Sequence, residues 1–371
     1  MQENKKDIYV TKAFLPPKEE FFEKIAPLWD THILTNMGPL HNEFERKLAS
    51  FLEVPHCLAF CNGHSALEMA IQAMELTGEV ITTPFTFAST THAIVRNHLT
   101  PVFCDIKDSN YTMNPQLIES LITENTSAIL PVHVYGQVCD VEVIQEIADK
   151  HNLKVIYDAA HAFGVKYRGV GIGNYGDVSV FSFHATKPFN SIEGGAVVVR
   201  EVQYGLSVYQ LKNFGFMDED MVCSVGGNAK LSELHAAMGL CNLQYFEEIT
   251  ENRKKVVEQY YNRLGEMEGI KLLDKQENVD ENYAYFPVLF DEKVFGEGRE
   301  QVYSRLKKNR VHARRYFYPL TKDFLCYKGM FASAQTPVAE RVANEVLTLP
   351  LYDSLSLEEV NLICDIILES H

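Results

Sequence analysis

The order in which apolar runs and amphipathic stretches alternate is what most restricts the folds open to this chain. Runs of β type stand at residues 57–61, 80–83, 102–105, 128–132, 155–158 and 178–183. Stretches with helical spacing lie between them, among them 65–75, 115–122 and 141–151. Several runs are continuously hydrophobic rather than alternating, as strands are when helices cover both faces of their sheet. Strand and helix in alternation specify an α/β fold with a largely parallel sheet. After Gly226-Gly227-Asn228 the pattern changes to a long helical stretch over 231–267, a strand at 283–290, a helix at 299–309, a basic-aromatic segment at 311–320 and a closing helix at 357–369. A chain of 371 residues is long enough for two cores. The pattern divides it into a large domain over 1–250 and a smaller α+β domain over 251–371. An extended arm with an amphipathic helix near 19–29 occupies residues 1–36, and a second helix is expected over 40–51, where Phe44, Leu48 and Phe51 recur at helical spacing.

Within that frame the stretch 180–199, VFSFHATKPFNSIEGGAVVV, places one lysine, Lys187, in a short polar loop between two β-rich runs. Ser182 lies just before it and Gly194-Gly195 just after. A lysine held there is suited to covalent chemistry with an aldehyde, whereas a solvent-facing loop lysine is the plainer reading. Three other places bear on the choice. Cys61-Asn62-Gly63-His64-Ser65 runs from a strand through a glycine turn into a helix start. The free N–H groups of Gly63, His64 and Ser65 at the positive end of a helix bind phosphate without a cationic side chain; simple N-capping by Asn62 or Ser65 is the alternative. Pro84-Phe85-Thr86-Phe87 follows a strand at the edge where open α/β sheets bind ligands, and Phe87 can stack on a flat ring. Asp158 closes the apolar strand Lys154-Val155-Ile156-Tyr157, where a carboxylate needs a cation or several donors, and His161 follows on the same turn. These are the parts that hold pyridoxal phosphate: Lys187 for the Schiff base, Asp158 for the ring nitrogen, Phe87 and His161 for the ring, and Gly63, His64, Ser65 and Ser182 for the phosphate.

Composition excludes several other functions. With 34 basic and 50 acidic residues the net charge is −16, which argues against a nucleic-acid-binding surface. No apolar run approaches the roughly 20 residues that span a bilayer. The opening MQENKKDIYVTKAF has no apolar signal core, so a cytoplasmic protein is expected. The eight cysteines include no CxxC pair. Cys57, Cys61 and His64 form the one group that looks metal-like, and its spacing fits no common zinc pattern, so no metal is expected.

In order along the chain, LTNMGPLHNEFE, CNGHSAL, VITTPFTFAST, PVFCDI, LPVHVYGQVCD, VIYDAAHAFG, SFHATK-x8-GAVV, GGNAKLSELHAAMG and VLTLPLYDSLS resemble the sugar aminotransferases of the DegT/DnrJ/EryC1/StrS family. The resemblance implies an aspartate aminotransferase-like fold (fold type I) and a homodimer with shared active sites. It implies that Asn228 reaches the cofactor phosphate from the partner subunit, and that Asn36, Met37, Gly38, His184, Arg314, Arg315, Tyr316 and Tyr318 contact a nucleotide-sugar substrate. Within the family, VTKAFLPP, SFHATK and GGNAKLSE are most similar to the enzymes that convert dTDP-4-keto-6-deoxy-D-glucose to its 4-amino product with L-glutamate, for surface-glycan synthesis. Two positions depart from the common pattern: His64 stands where most relatives carry threonine, and Lys230 where many carry arginine. Amination at C3, a GDP- or UDP-linked substrate, and a non-catalytic sugar- or cofactor-binding regulator remain alternatives. A sugar dehydratase fits less well, because such relatives replace the lysine that this chain keeps at 187.

Overall fold

The computed structural model describes residues 7–369, so the first six residues of the expected arm lie outside it. Seven strands build the central sheet: β1 (Cys57–Phe60), β2 (Glu79–Thr82), β3 (Thr100–Phe103), β4 (Thr126–Leu130), β5 (Lys154–Asp158), β6 (Val178–Ser182) and β7 (Gly195–Val199). Their order across the sheet is β1-β7-β6-β5-β4-β2-β3. The pairs from β3 to β6 are parallel, and β7 runs antiparallel to both β1 and β6. Side chains along β5 show why the runs read as continuously apolar. Val155 and Tyr157 enter one buried cluster with Phe44, Leu48 and Phe181, while Ile156 enters another with Leu67, Ile94 and Val197. Both faces of the sheet are thus inside, each buried large apolar side chain contributing about 1.5–3 kcal/mol.

The helices that cover it include α1 (Pro39–Leu52), α2 (Gly63–Ala73), α3 (Ala88–Arg96), α4 (Val141–His151), α5 (Val202–Leu211), α6 (Glu233–Leu243) and α7 (Phe246–Leu264). Helix α7 passes from one core to the next. Its Phe246 packs with Phe44 and Phe163, whereas Val256, Val257, Tyr260 and Leu264 belong to a separate cluster with Phe286, Val302 and Ile363. That second core is built on a three-stranded antiparallel sheet, Ile270–Leu272, Phe286–Phe290 and Val346–Leu349, covered by α8 (Arg299–Lys308) and α9 (Leu357–Leu368). A third cluster joins Phe85, Val132 and Tyr135 to Leu289, Phe317 and Val342, sealing the two units together. Ile8 and Tyr9 of the arm pair in parallel with Val311 and His312.

Differences from the expected elements have local causes. The helix expected near 19–29 is two, Lys18–Ile25 and Leu28–Thr31, parted at Pro27, which has no N–H to continue the first. The long helix expected over 231–267 is broken between α6 and α7 at Gln244-Tyr245. Helix α6 is buried on most sides, with Gly239 against the ring of Phe44, while α7 carries charges toward solvent, so the chain turns between them without proline. The strand expected at 283–290 begins only at Phe286. The segment 311–320 is strand only at Val311–His312 and then turns back on itself. The strand Val346–Leu349 and helices α3 and α5 had no element expected at their positions.

Candidate active site

The parallel strands β2, β4, β5 and β6 end on one edge of the sheet, and their following loops enclose a cavity of about 290 Å³. Gly63, His64, Phe87, Asp158, His161, Ser182, His184, Lys187 and Tyr316 all line it. Residues that lie up to 253 positions apart in sequence therefore meet at one place.

Asp158 forms the cavity floor at the last position of β5 and is 7% exposed. Its Oδ2 accepts from Thr90 Oγ1 at 2.7 Å and its Oδ1 from the Ala160 amide at 3.1 Å. Burial nevertheless holds its pKa above the ordinary carboxylate value, because two neutral donors do not replace lost hydration and no cation among the described residues comes within ion-pair distance. A protonated pyridine nitrogen supplies the missing charge, so pyridoxal phosphate fits this floor.

Lys187 Nζ donates to Tyr285 Oη at 3.2 Å and lies 5.2 Å from that ring's centroid. His161 is 7% exposed, and its Nδ1 accepts from the Tyr135 amide at 3.0 Å, which fixes the ring orientation. Burial, and then the nearby Lys187, pushes its pKa well down, so the imidazole is neutral. Its ring stacks against Phe317 at 5.9 Å and meets Tyr285 at 4.8 Å.

The phosphate side is narrower than expected. Asn62 caps α2, its side chain accepting from the Ser65 amide at 2.8 Å. That N–H is therefore engaged, and Ser65 is not among the residues that line the cavity. Gly63 and His64 open the helix, so their N–H groups have no intrahelical acceptor. Gly63 is there for space: a Cβ on it would stand 2.9 Å from Ser182 Cβ. The imidazole of His64 turns to Ser89 Oγ at 2.8 Å rather than serving as a threonine hydroxyl would. Lys230 donates to Asn213 Oδ1 at 2.6 Å, a local contact.

Phe87 is 60% exposed at the start of α3 and stands between this cavity and a second cleft of about 400 Å³. Arg314, Arg315, Tyr316 and Tyr318 line that cleft, which shares Thr86, Phe87, Tyr316 and Phe317 with the first. The two arginines differ. Arg314 lies over the Tyr316 ring at 5.3 Å and has no carboxylate partner among the described residues. Arg315 is committed to Glu300, with Nε at 2.8 Å, and stacks on Tyr303 at 3.9 Å. His184 is exposed on its loop, with Nδ1 2.8 Å from Thr186 Oγ1.

Besides Ser65, four expected residues reach neither the cavity nor the adjoining cleft within one chain. Asn36, Met37 and Gly38 lead into α1, whose first amides, Leu40 and His41, donate to the Glu233 carboxylate at 2.8 and 2.9 Å. Gly38 packs against that same carboxylate, so the segment is tied to α6. Asn228 is exposed on the loop before α6 and pairs with Asn213. Sequence reasoning missed Thr90 and Tyr285, and placed Phe317 only within the 314–318 segment of the substrate cleft, not against the His161 ring. The i, i+4 pair Thr86 and Thr90, whose hydroxyls are 2.8 Å apart, was the signal available for the first; nothing local marked the second. Among the described residues no group of three His, Cys, Asp or Glu is arranged to hold a metal.

A lysine amine, a buried carboxylate and a helix start at the C-terminal edge of such a sheet define an aminotransferase of fold type I. The chain belongs to the DegT/DnrJ/EryC1/StrS aminotransferase family, whose pattern matches residues 17–368. It is 44% identical to the dTDP-4-amino-4,6-dideoxy-D-glucose transaminase of Escherichia coli over 96% of this chain and 97% of that protein. To the enzyme of the same name from Shigella dysenteriae it is 41% identical, over 98% and 99%. Among solved structures, DesI in the presence of its TDP-sugar product superimposes with a TM-score of 0.94 at 35% identity, covering 98% of this chain and 92% of that one. Helicobacter pylori PseC, an aminotransferase of pseudaminic acid biosynthesis, gives 0.92 at 28% identity, covering 98% and 99%. The expected fold and family are both met.

Proposed function

We propose that the protein transfers an amino group from L-glutamate to C4 of dTDP-4-keto-6-deoxy-D-glucose, using pyridoxal phosphate, in a cytoplasmic pathway to a surface glycan. The observation that carries the chemistry is the buried Asp158 carboxylate facing a cavity that also holds the Lys187 amine. The substrate rests on likeness to two transaminases of that specificity over nearly the whole chain.

Asp158 would hold the ring nitrogen, and the Gly63 and His64 amides with Ser182 Oγ would hold the phosphate. When bound, the cofactor supplies an electron-poor ring that stabilises negative charge developing at the donor's Cα. Lys187 Nζ would be the base that takes the proton from the donor's Cα and the acid that gives it up again. Neutral His161 presses on the site without adding a charge that would compete with Asp158. In the second half-reaction the same Lys187 Nζ would move the proton in the opposite direction, at the sugar carbon. Phe87 and the aromatic walls keep water from the reacting carbon. Arg314 suits the substrate pyrophosphate, and Tyr316 and Tyr318 suit the base and sugar faces. Asn228 and the 36–38 segment lie away from the cavity of their own chain, which supports a homodimer in which each subunit completes the other's site.

The test is incubation of the holoenzyme with dTDP-4-keto-6-deoxy-D-glucose and L-glutamate, with the new C–N bond located by NMR. An amine at C4 is expected, and Lys187→Ala should form none. An amine at C3, or turnover only with a GDP- or UDP-linked sugar, overturns the substrate assignment. Retained turnover in Lys187→Ala overturns the mechanism.

A further inference from the structure

The segment that brings Tyr285 to Lys187 is held more firmly than a connecting loop requires. Asn282, 2% exposed, donates through Nδ2 to the carbonyls of His161 and Phe163, each at 2.9 Å. Tyr283 adopts a φ of 50°, a left-handed conformation that costs a bulky residue energy. The next two carbonyls are gripped by one side chain: Arg253 donates from Nε to Tyr283 O and from Nη2 to Ala284 O, both at 2.8 Å. Arg253 is 3% exposed on α7 and makes no ion pair among the described residues. A buried guanidinium without a carboxylate is costly, and a neutral side chain would fill the same volume at lower cost. Its two hydrogen bonds go to the residues immediately before Tyr285.

We propose that Tyr285 is a positioning residue for the Lys187 amine, and that Arg253 and Asn282 are built into the fold to hold Tyr285 in place. The geometry states what each part does. Asn282 ties the segment to the backbone of His161, so the imidazole and the phenol keep their 4.8 Å separation. Arg253 fixes the left-handed turn that aims the phenol into the cavity. The phenolic oxygen accepts from Lys187 Nζ at 3.2 Å, and the ring offers its face to the same ammonium. The released amine is thereby kept beside the reacting carbon instead of swinging into the adjoining cleft, and its proton is held at Nζ until transfer. The proposal rests on Lys187 being the reacting amine.

Two measurements test it. In cofactor-free protein, the rate at which formaldehyde and cyanoborohydride methylate Lys187 at one fixed pH is followed by mass spectrometry. Tyr285→Phe keeps the ring but removes the acceptor that holds the amine, so the rate should rise about threefold or more. Arg253→Met should raise it the same way and Arg253→Lys should restore part of the wild-type protection. In the holoenzyme, Tyr285→Phe should lower kcat about 10- to 100-fold with KM for both substrates within about threefold. Combining it with Arg253→Met should cost no more than about twofold beyond Tyr285→Phe alone, because both changes remove one function. Should Arg253→Met fail to fold, Arg253→Lys and Asn282→Ser take its place in both arms. An unchanged methylation rate in Tyr285→Phe, an unchanged kcat, or losses that multiply in the double variant each overturn the proposal. Failure of the wild-type enzyme to transfer any amino group would overturn the aminotransferase reading instead, and the methylation arm would still decide the role of Tyr285.

Discussion

Thr90 Oγ1 donates to Asp158 Oδ2 at 2.7 Å, joining the first turn of α3 to the last residue of β5 across 68 positions of sequence. Thr86 Oγ1 lies 2.8 Å from the Thr90 hydroxyl, so a short relay of side chains orients the carboxylate toward the cavity.

Removing that donor should weaken the cofactor's hold without emptying the cavity of its other contacts. Thr90→Val takes away a hydrogen bond to a charged acceptor, about 1.5–3 kcal/mol, or roughly a tenfold or greater loss in pyridoxal phosphate affinity. The sign with pH follows: burial already raises the Asp158 pKa, and losing a donor to the ionised form raises it further. The acid limb of cofactor binding should therefore move to higher pH in the variant. Titration of cofactor-free protein at several pH values checks both expectations, and Asp158→Asn should abolish the limb.

Gly63→Ala should damage folding and phosphate binding together. The new Cβ would stand 2.9 Å from Ser182 Cβ and 3.2 Å from its Cα, so β6 and the start of α2 must separate. Overpacking of this kind costs about 1–3 kcal/mol. Thermal unfolding with and without inorganic phosphate should show a lower midpoint and a smaller gain on adding phosphate. An unchanged gain would remove the helix start from the phosphate site.

The two neighbouring arginines should separate in their effects. Arg315 is paired with Glu300, whereas Arg314 lies over the Tyr316 ring and has no carboxylate partner among the described residues. Arg314→Ala should raise KM for the nucleotide sugar about tenfold or more with little change in kcat for the glutamate half-reaction. Arg315→Ala should change that KM by less than about threefold and act mainly through thermal stability. Equal effects on KM would mean that Glu300 releases Arg315 when substrate binds.

Acid should destabilise the fold through His133. Its ring is fully buried, stacked on Tyr157 at 4.7 Å, with Nδ1 accepting from the Cys139 amide at 3.1 Å. Burial pushes its pKa from 6.5 down to about 3. Between those values the unfolded chain binds a proton that the native state does not, so stability is complete above about pH 6.5 and is lost as pH falls. The slope from this one group is roughly 1.4 kcal/mol per pH unit at most. Denaturant unfolding from pH 7 to 4 should show it, and His133→Gln, which can still accept from Cys139, should flatten it.

The assignment of Lys187 and Asp158 to a cofactor could be read from short motifs because each motif is a local device. A strand that ends in aspartate, a glycine before a helix start and a lysine between two strands are all legible within a dozen residues. Ser65 shows the limit. Its position in the helix start is local, but whether its N–H is free depends on Asn62 turning back to cap it, a rotamer that composition does not reveal. Arg314 and Arg315 show it again: adjacent and chemically alike, they are told apart by Glu300 on α8.

What the sequence determined by itself is the α/β architecture and the types of group that meet at the strand ends. Both follow from periodicity and from backbone geometry acting over a few residues. Only the tertiary structure decided which groups touch. The acceptor for Lys187 is Tyr285, 98 positions away, delivered by a segment that reads as strand but pairs only from Phe286 onward and is clamped by Arg253 from α7. Such contacts form because burial leaves every polar atom in need of a partner, and the partner is whichever side chain the packing brings within reach.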